Sequence, residues 1–557
     1  MLYDVVVVGS GIAGLFSALY AKRAGCSVAV ITKSNPFRSN SAVASGGINA
    51  VIDTSEFDSV LRHSNDTLNG ADGLANEENI RLMCADAPTI IKELSQIGVK
   101  FDTDETGKIK QRPFGGASAK RTCYIADRTG SAIVQTLLAQ CRKEGVEILS
   151  NHQILSITTY KEKLSGITFL HRADSHVGAF ACKSLVLAGG GFAGIYRGHT
   201  TNPQETSGDA IAVAMRAGVR ISNLEFVQFH PTTLKNGTLI SEAARGEGAY
   251  IVDETGTRFT DELQTRDKLS RAILEHMEAG HLVYLDFRHL PKEIIETRLP
   301  STQKMALNSA GVDITTELLQ ISPSAHYTIG GIYTKADTST DLDGLYACGE
   351  CANTGVHGAN RLGGNSLLEA AYFGKVAGIE ASRNAKRSEF LPIDFAQVNK
   401  EYKKVKLILE GESHFNINAM RKNLGETLFE KVGVYRNEHT LIDALEYVEY
   451  LMSRQYGLHC VNKELQNNVE LAAILEFRNS LYVAEAMIMS ALKREESRGV
   501  HFREDFPQRE DKHFSLSSYV TSIKGQHLKI SFENTLIEDI LYKLKNYVKL
   551  IQRIIYG

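Results

Sequence analysis

Asp4-Val-Val-Val-Val-Gly9-Ser-Gly11-Ile-Ala-Gly14 is a short β-branched apolar run that breaks into glycines and continues as an Ala/Leu-rich helix through Ala24. A second strand follows at 27–31. Strand, glycines, helix, strand is the order in which a Gly-x-Gly-x-x-Gly match carries meaning. Gly9 and Gly11 permit a tight turn and the close approach of a pyrophosphate to a helix N-terminus, and Gly14 lets that helix pack on the strand. The acidic residue that would bind ribose hydroxyls at the end of the second strand is absent, since Ile31-Thr32-Lys33 stands there, which argues against simple NAD recognition. Two later strand-and-glycine elements, Ser184-Leu-Val-Leu-Ala-Gly189-Gly-Gly191 and Gly344-Leu-Tyr-Ala-Cys-Gly349-Glu350, read as returns to the same sheet. The nucleotide domain is therefore expected to be discontinuous.

Between the returns, residues 231–324 hold a strand candidate at 282–286 and several helix candidates, and read as an inserted α+β cap. Beyond Phe395 the pattern turns helical: Leu441, Ala444-Leu445, Val448 and Leu451-Met452 recur at helix spacing, and a long helix is expected from about Glu464 to Arg494. The charged stretch 493–512 reads as a solvated connection. A closing basic helix is expected after Thr535-Leu-Ile-Glu538, with Leu541, Leu544, Val548 and Ile551 on one face.

Composition narrows the options. At 557 residues, about three or four domains are expected. A net charge of -3, from 62 basic and 65 acidic side chains, offers no global field for nucleic acid or an anionic membrane. No apolar run is long enough to span a bilayer, and no targeting signal precedes the first strand, so a cytoplasmic chain is expected. The eight cysteines show neither a disulfide framework nor a zinc or iron-sulfur spacing, so no metal site is expected. Downstream, His230, Ser241-Glu242, Arg245, Arg266, His326 and Arg361 lie in Gly- or Pro-punctuated segments. Three arginines, two histidines and a carboxylate suit the clamping of a small dianion and the movement of a proton.

Six ordered motifs carry a family resemblance. They are Gly9-Ser-Gly-Ile-Ala-Gly14; Arg38-Ser-Asn40-Ser41 with Gly46-Gly47; Phe229-His-Pro-Thr232; Glu242-Ala-Ala-Arg245-Gly-Glu-Gly248; Ala325-His-Tyr-Thr-Ile-Gly-Gly331; and His357-Gly-Ala-Asn-Arg361-Leu-Gly-Gly-Asn-Ser366. The chain resembles the flavoprotein subunits of succinate dehydrogenases and fumarate reductases, whose superfamily includes L-aspartate oxidase, and the resemblance extends to Ser497-Arg-Gly-Val-His501 and beyond. It implies an α/β fold: a Rossmann-like FAD-binding domain in two parts (1–230 and 325–394), a cap (231–324), a helical bundle (395–498) and a small C-terminal region (499–557).

The resemblance also implies site roles. Gly9, Gly11, Ile12, Ala13 and Gly14 cradle the FAD pyrophosphate; Thr32 and Lys33 lie by its adenosine half; Ser39, Asn40, Ser41, Gly46 and Gly47 border the isoalloxazine. Asp209, Glu350, Ser366 and Leu367 are further flavin contacts. His230, Ser241, His326 and Arg361 bind a C4-dicarboxylate, fumarate or succinate. Arg266 transfers a proton, with Glu242 and Arg245 as relay partners, while a hydride passes at FAD N5. Mutual repulsion among the arginines would make so poor an acid competent.

Asn40 departs from the pattern, because many members carry there a histidine that attaches FAD covalently. An amide cannot form that bond, so dissociable FAD is expected, favouring fumarate reduction and also admitting L-aspartate oxidase. Arg361-Leu-Gly363-Gly364-Asn365 and the segment from Arg112 to Gly130 lie closer to the respiratory subunits, whereas His326-Tyr-Thr and Glu242-Ala-Ala-Arg-Gly-Glu-Gly-Ala lean toward the oxidase. A respiratory chain without cysteine clusters requires an iron-sulfur partner subunit, with membrane or quinone-reactive subunits that would hold it at the cytoplasmic face. A flavoprotein reduced by NAD(P)H would want a second nucleotide fingerprint, and none is evident.

Overall fold

A computed structural model describes residues 1–53, 57–523 and 527–533; the expected closing basic helix lies outside them. The opening run forms the strand Leu2–Val8, and the helix Ile12–Arg23 follows directly. Leu2–Val8 pairs in parallel with Val28–Thr32 on one side and with the second half of His176–Leu187 on the other. The short strand Leu345–Ala347 pairs in parallel with Leu185–Leu187, so both glycine-marked returns join the same seven-stranded sheet. The first half of His176–Leu187 belongs instead to an antiparallel meander with Lys163–His171 and His152–Tyr160. One 12-residue strand thus joins the parallel and antiparallel parts.

Side chains alternate across this sheet. Val5 and Val7 face a core shared with the first helix and the long helix Asn365–Arg387, whereas Val6 and Val8 face a second core. That second core also contains Leu441, Ala444, Val448 and Leu451, the stripe read from the sequence, now on the helix Glu438–Arg454. The helical region comprises this helix with Phe395–Glu410, Ile417–Lys431 and Val469–Lys493. Its apolar stripe is buried against the nucleotide domain because the two share one continuous interior.

The inserted segment has its own core around Ile251, Leu269, Leu285 and Leu319, and a three-stranded antiparallel sheet of Tyr250–Asp253, Val283–Asp286 and Leu319–Gln320. It leaves and rejoins the nucleotide domain through an antiparallel ribbon, Val227–Thr233 with Ser322–Thr328. The expected cap limits, 231 and 324, both fall within this ribbon.

One expectation is corrected. The stretch 493–512 is a solvated connection only in its second half, where 504–509, 511 and 512 are exposed; in its first half Arg494, Glu496, Arg498, His501 and Arg503 are buried. Arg494 Nε donates to Glu225 Oε1 at 2.8 Å and its Nη1 to Glu496 Oε1 at 3.0 Å, while Arg498 Nε donates to Glu496 Oε1 at 2.7 Å. Arg498 Nη1 also reaches the Asp72 carbonyl at 2.9 Å. Glu225 and Asp72 are remote in sequence, so the charges look solvated until the chain folds. Glu496→Ala would leave two buried guanidinium groups without their shared carboxylate. It is expected to lower stability by about 3–5 kcal/mol, read as an earlier urea transition; an unchanged midpoint would mean that the cluster is hydrated.

Candidate active site

A long cleft opens where the first strand ends. Gly9, Ser10, Gly11 and Ala13 line its floor, Thr32, Lys33 and Asp209 one end, and Ser39, Asn40, Ser41, Glu350, Ser366 and Leu367 its middle; His326 stands at the far end. Gly9 adopts φ +113°, and a Cβ there would lie 2.1 Å from the Ala188 carbonyl oxygen. A Cβ on Gly14 would lie 2.0 Å from the Gly9 carbonyl oxygen, so this glycine serves the helix-on-strand packing, outside the cleft lining. Ile12 is likewise turned into the core, its N–H donating to Ser41 Oγ at 3.2 Å. Gly46 and Gly47 do not line the cleft: they pack against Phe114 and against Thr122 and Cys123.

Lys33 donates to Asp209 at 2.7 Å and lies 3.2 Å from Glu476, and these carboxylates raise its pKa against the opposing effect of burial. Asn40 donates to Asn202 and, at 3.4 Å, to Glu350, and its carbonyl accepts from Thr206 at 3.3 Å. Burial pushes the Glu350 carboxyl up to about 7 against the hydrogen bonds from Thr328 and Asn40. The Gln153 side chain, also on the cleft wall, leaves both its amide nitrogen and oxygen buried without a partner. A glycine floor, a helix N-terminus and an unsatisfied amide fit an extended dinucleotide.

Beyond His326 the structure gathers the predicted polar residues. Arg266, first residue of the helix Arg266–Glu278, donates through Nε (3.1 Å) and Nη2 (2.5 Å) to Glu242 Oε2. Arg245 lies 3.8 Å from Glu242 Oε1, which accepts the Gly115 N–H at 3.0 Å. Arg266 Nη1 and Arg361 Nη2 both donate to Gln228 Oε1, at 3.0 and 3.1 Å. Arg361 stacks 4.1 Å over the Tyr327 ring, whose hydroxyl donates to Glu369 at 2.8 Å. Gln228, Tyr327 and Glu369 were missed in the sequence. Gln228 stands two residues before His230 on one strand, and that spacing was the available signal.

The two histidines come from facing strands of the ribbon, with ring centroids 4.9 Å apart. Register shifts between Gln228 and Phe229, so His326 is the unpaired residue of a bulge, a device that re-aims a side chain. Thr201 Oγ1 lies 2.7 Å from His326 Nδ1 and accepts from Asn202 at 3.4 Å. A hydroxyl that donates to Nδ1 would leave Nε2–H free to donate. His230 Nδ1 contacts the Thr232 backbone, its carbonyl at 3.0 Å and its N–H at 3.3 Å. Burial, then Arg266, depresses both imidazoles well below their ordinary pKa, so both are neutral at pH 7.

Ser241 lines a neighbouring cavity that shares Thr201, Asn202 and Leu239 with the main cleft. His230, Glu242, Arg245, Arg266 and Arg361 line neither cavity and are 8% exposed or less. Burial works against ionisation of Glu242, but Arg266 and Arg245 overcome it and hold the carboxyl at about 2. Burial and the neighbouring Arg266 lower Arg361 to about 10. Arg245 Nε and Nη2 and Arg361 Nε have no hydrogen-bond partner. Three guanidinium groups against one carboxylate leave a buried excess of positive charge with unused donors, the signature of a site built for an anion.

Residues 4–367 match the FAD binding domain family, and residues 421–551 the fumarate reductase flavoprotein C-terminal family. The chain is 35% identical to the 8-methylmenaquinol:fumarate reductase flavoprotein subunit of Wolinella succinogenes over 98% of this chain and 92% of that one. It is 35% identical to the succinate dehydrogenase flavoprotein subunit of Rickettsia bellii, covering 92% and 91%. Among solved structures, a quinol-fumarate reductase with menaquinol molecules aligns with a TM-score of 0.91 at 30% identity, covering 96% and 98%.

The elevated Glu350 pKa sets a pH test. Between its ordinary value near 4.5 and about 7 the carboxyl is protonated when folded and ionised when unfolded. Its stabilising contribution is thus present below pH 4.5 and lost as pH rises through about 7. In FAD-free protein, wild type is expected to lose up to about 3 kcal/mol relative to Glu350→Gln across that window. Parallel denaturation midpoints for the two proteins would mean that Glu350 is ionised throughout.

Proposed function

The chain belongs to the family of fumarate reductase and succinate dehydrogenase flavoprotein subunits and is an FAD-dependent oxidoreductase; from that premise we propose that it interconverts fumarate and succinate. The observation that carries the substrate is charge. Arg245, Arg266 and Arg361 against Glu242 leave two net positive charges in a buried cluster, which matches a dianion carrying one carboxylate at each end. When bound, FAD supplies hydride-transfer chemistry at its N5.

Each residue then has a role its surroundings support. Arg361, braced flat on Tyr327 and by Gln228, grips one carboxylate. His326 presents Nε2–H to the other, with His230 and the Ser241 hydroxyl beside it. Neutral imidazoles suit this role, because they donate hydrogen bonds while leaving most of the charge compensation to the arginines. Arg266 delivers the proton to the carbon that receives no hydride, or removes it in reverse. Glu242, 2.5 Å from Arg266 and 3.8 Å from Arg245, is placed to relay that proton. Burial of the cluster keeps bulk water from competing.

L-Aspartate oxidase, the alternative, is not favoured. An α-ammonium group would seek a free carboxylate, and Glu242 is already engaged by two arginines. The reported relatives are likewise named as fumarate reductase and succinate dehydrogenase subunits. Electrons need an exit, yet all eight cysteines are buried, free thiols. A separate iron-sulfur subunit would receive them, with membrane or quinone-reactive subunits beyond it. Among the described residues no helix is long and apolar enough to cross a membrane, so attachment would come through those partners. FAD, lacking a linking histidine at Asn40, is bound without a covalent bond, which favours the direction of fumarate reduction.

Three outcomes are expected. Anaerobic FAD-loaded protein should oxidise a reduced dye with fumarate and show no flavin bleaching by L-aspartate; bleaching by aspartate would overturn the substrate. Arg266→Lys should retain FAD while turnover falls about a thousandfold or more, and substantial remaining activity would remove Arg266 from proton transfer. Acid precipitation should leave the yellow flavin in the supernatant; flavin pelleting with protein would contradict the reading of Asn40.

A further inference from the structure

Away from the cleft, one group of side chains has the composition of a transition-metal site. Asp253 ends the strand Tyr250–Asp253, His276 lies in the last turn of the helix Arg266–Glu278, and His281 follows the turn at Gly280, φ +97°. One ligand-type atom from each lies within 4.8 Å of the other two. His276 Nε2 is 3.7 Å from Asp253 Oδ2, yet it is buried and makes no hydrogen bond. A simple His–Asp hydrogen bond would be shorter. Zinc–nitrogen and zinc–oxygen bonds of about 2.0–2.2 Å in tetrahedral geometry separate two ligand atoms by roughly 3.3 Å, close to the spacing found.

The surroundings hold Asp253 and His276 in place. The His276 ring is stacked on Phe259, with centroids 3.9 Å apart, which keeps it from swinging out to water, and His281 lies against its other face at 4.4 Å. Asp253 Oδ1 accepts the Thr255 N–H (2.8 Å), the Thr255 hydroxyl (2.6 Å) and the Thr257 N–H (3.0 Å), leaving Oδ2 directed at His276. His281 Nδ1 lies 3.0 Å from Glu254 Oε1, and Glu254 Oε2 accepts the Leu282 N–H at 3.0 Å. A carboxylate fixing one imidazole nitrogen so that the other can ligate is the outer-shell arrangement of metal-bound histidine.

We propose that Asp253, His276 and His281 bind one divalent transition-metal ion, with Zn2+ the best match to two imidazoles and a carboxylate and with water completing the tetrahedron. An ion lies in the plane of each imidazole that binds it, so His281, which is partly exposed, must turn off the face of the His276 ring to ligate. The ion would clip the C-terminal end of the Arg266 helix to the cap sheet, where a cation also meets the negative end of the helix dipole. Arg266 is ten residues away, roughly 15 Å along the helix, so the ion steadies the cap and takes no part in the chemistry.

The test uses FAD-loaded full-length protein, stripped with a chelator and dialysed, and then titrated with Zn2+ against a chromophoric competitor. Wild type is expected to take up one Zn2+ per chain, and His281→Ala and Asp253→Asn to weaken that uptake about tenfold or more. At one concentration Zn2+ should raise the thermal midpoint of wild type more than that of either variant, while fumarate turnover of the metal-free proteins stays equal, showing intact folds. Equal Zn2+ uptake by wild type and both variants, or no uptake by wild type, would overturn the proposal.

Discussion

One carboxylate organises the polar interior. Glu242 accepts Arg266 through one oxygen, faces Arg245 with the other, and takes the Gly115 N–H as well. It thereby joins its own turn of chain, which also carries Arg245, to two segments distant in sequence, those of Gly115 and Arg266. The fit is close: a Cβ on Gly363 would lie 2.9 Å from this carboxylate, and one on Gly115 3.1 Å. Removing a buried charge of this kind costs more than any single pair appears to contribute, because the partners stay buried and unpaired. Both glycines thus provide clearance for the Glu242 side chain.

The scaffold makes that arrangement possible by dividing the labour. The parallel sheet supplies a rigid floor ending in glycines, while the cap carries Glu242, Arg245 and Arg266 on its own hydrophobic core. The ribbon between them carries His230 and Gln228 on one strand and His326 on the other. Arg361 comes from the loop that returns to the long helix Asn365–Arg387. The polar cluster therefore lies at a seam, assembled only when cap and nucleotide domain meet. A seam of this kind excludes water when closed, which strengthens every charge interaction within it.

A second buried ion network performs a structural task. Arg494, Glu496 and Arg498 tie the end of the last bundle helix to Glu225 and Asp72. The bundle is thus fixed to the nucleotide domain by charge as well as by the shared apolar core. The charges of Arg494, Glu496 and Arg498 look like solvated chain because partners such as Glu225 and Asp72 are contributed from far upstream, and local composition cannot report a partner several hundred residues away.

The sequence alone determined the nucleotide fold, its discontinuity, the helical region and the identities of the residues that meet beyond His326. Those features are written in local periodicity, in glycines placed after strands, and in residue types whose chemistry is independent of context. Only the tertiary structure decided how they meet: that Gln228 bridges Arg266 and Arg361, that Tyr327 supports Arg361, that His326 occupies a bulge, and that Gly46 and Gly47 pack behind the cleft. The same holds for protonation, since burial and the fields of neighbouring arginines fix Glu242 as a carboxylate and both histidines as neutral. Distance, burial and field are properties of residues brought together by folding, and no reading of their order along the chain contains them.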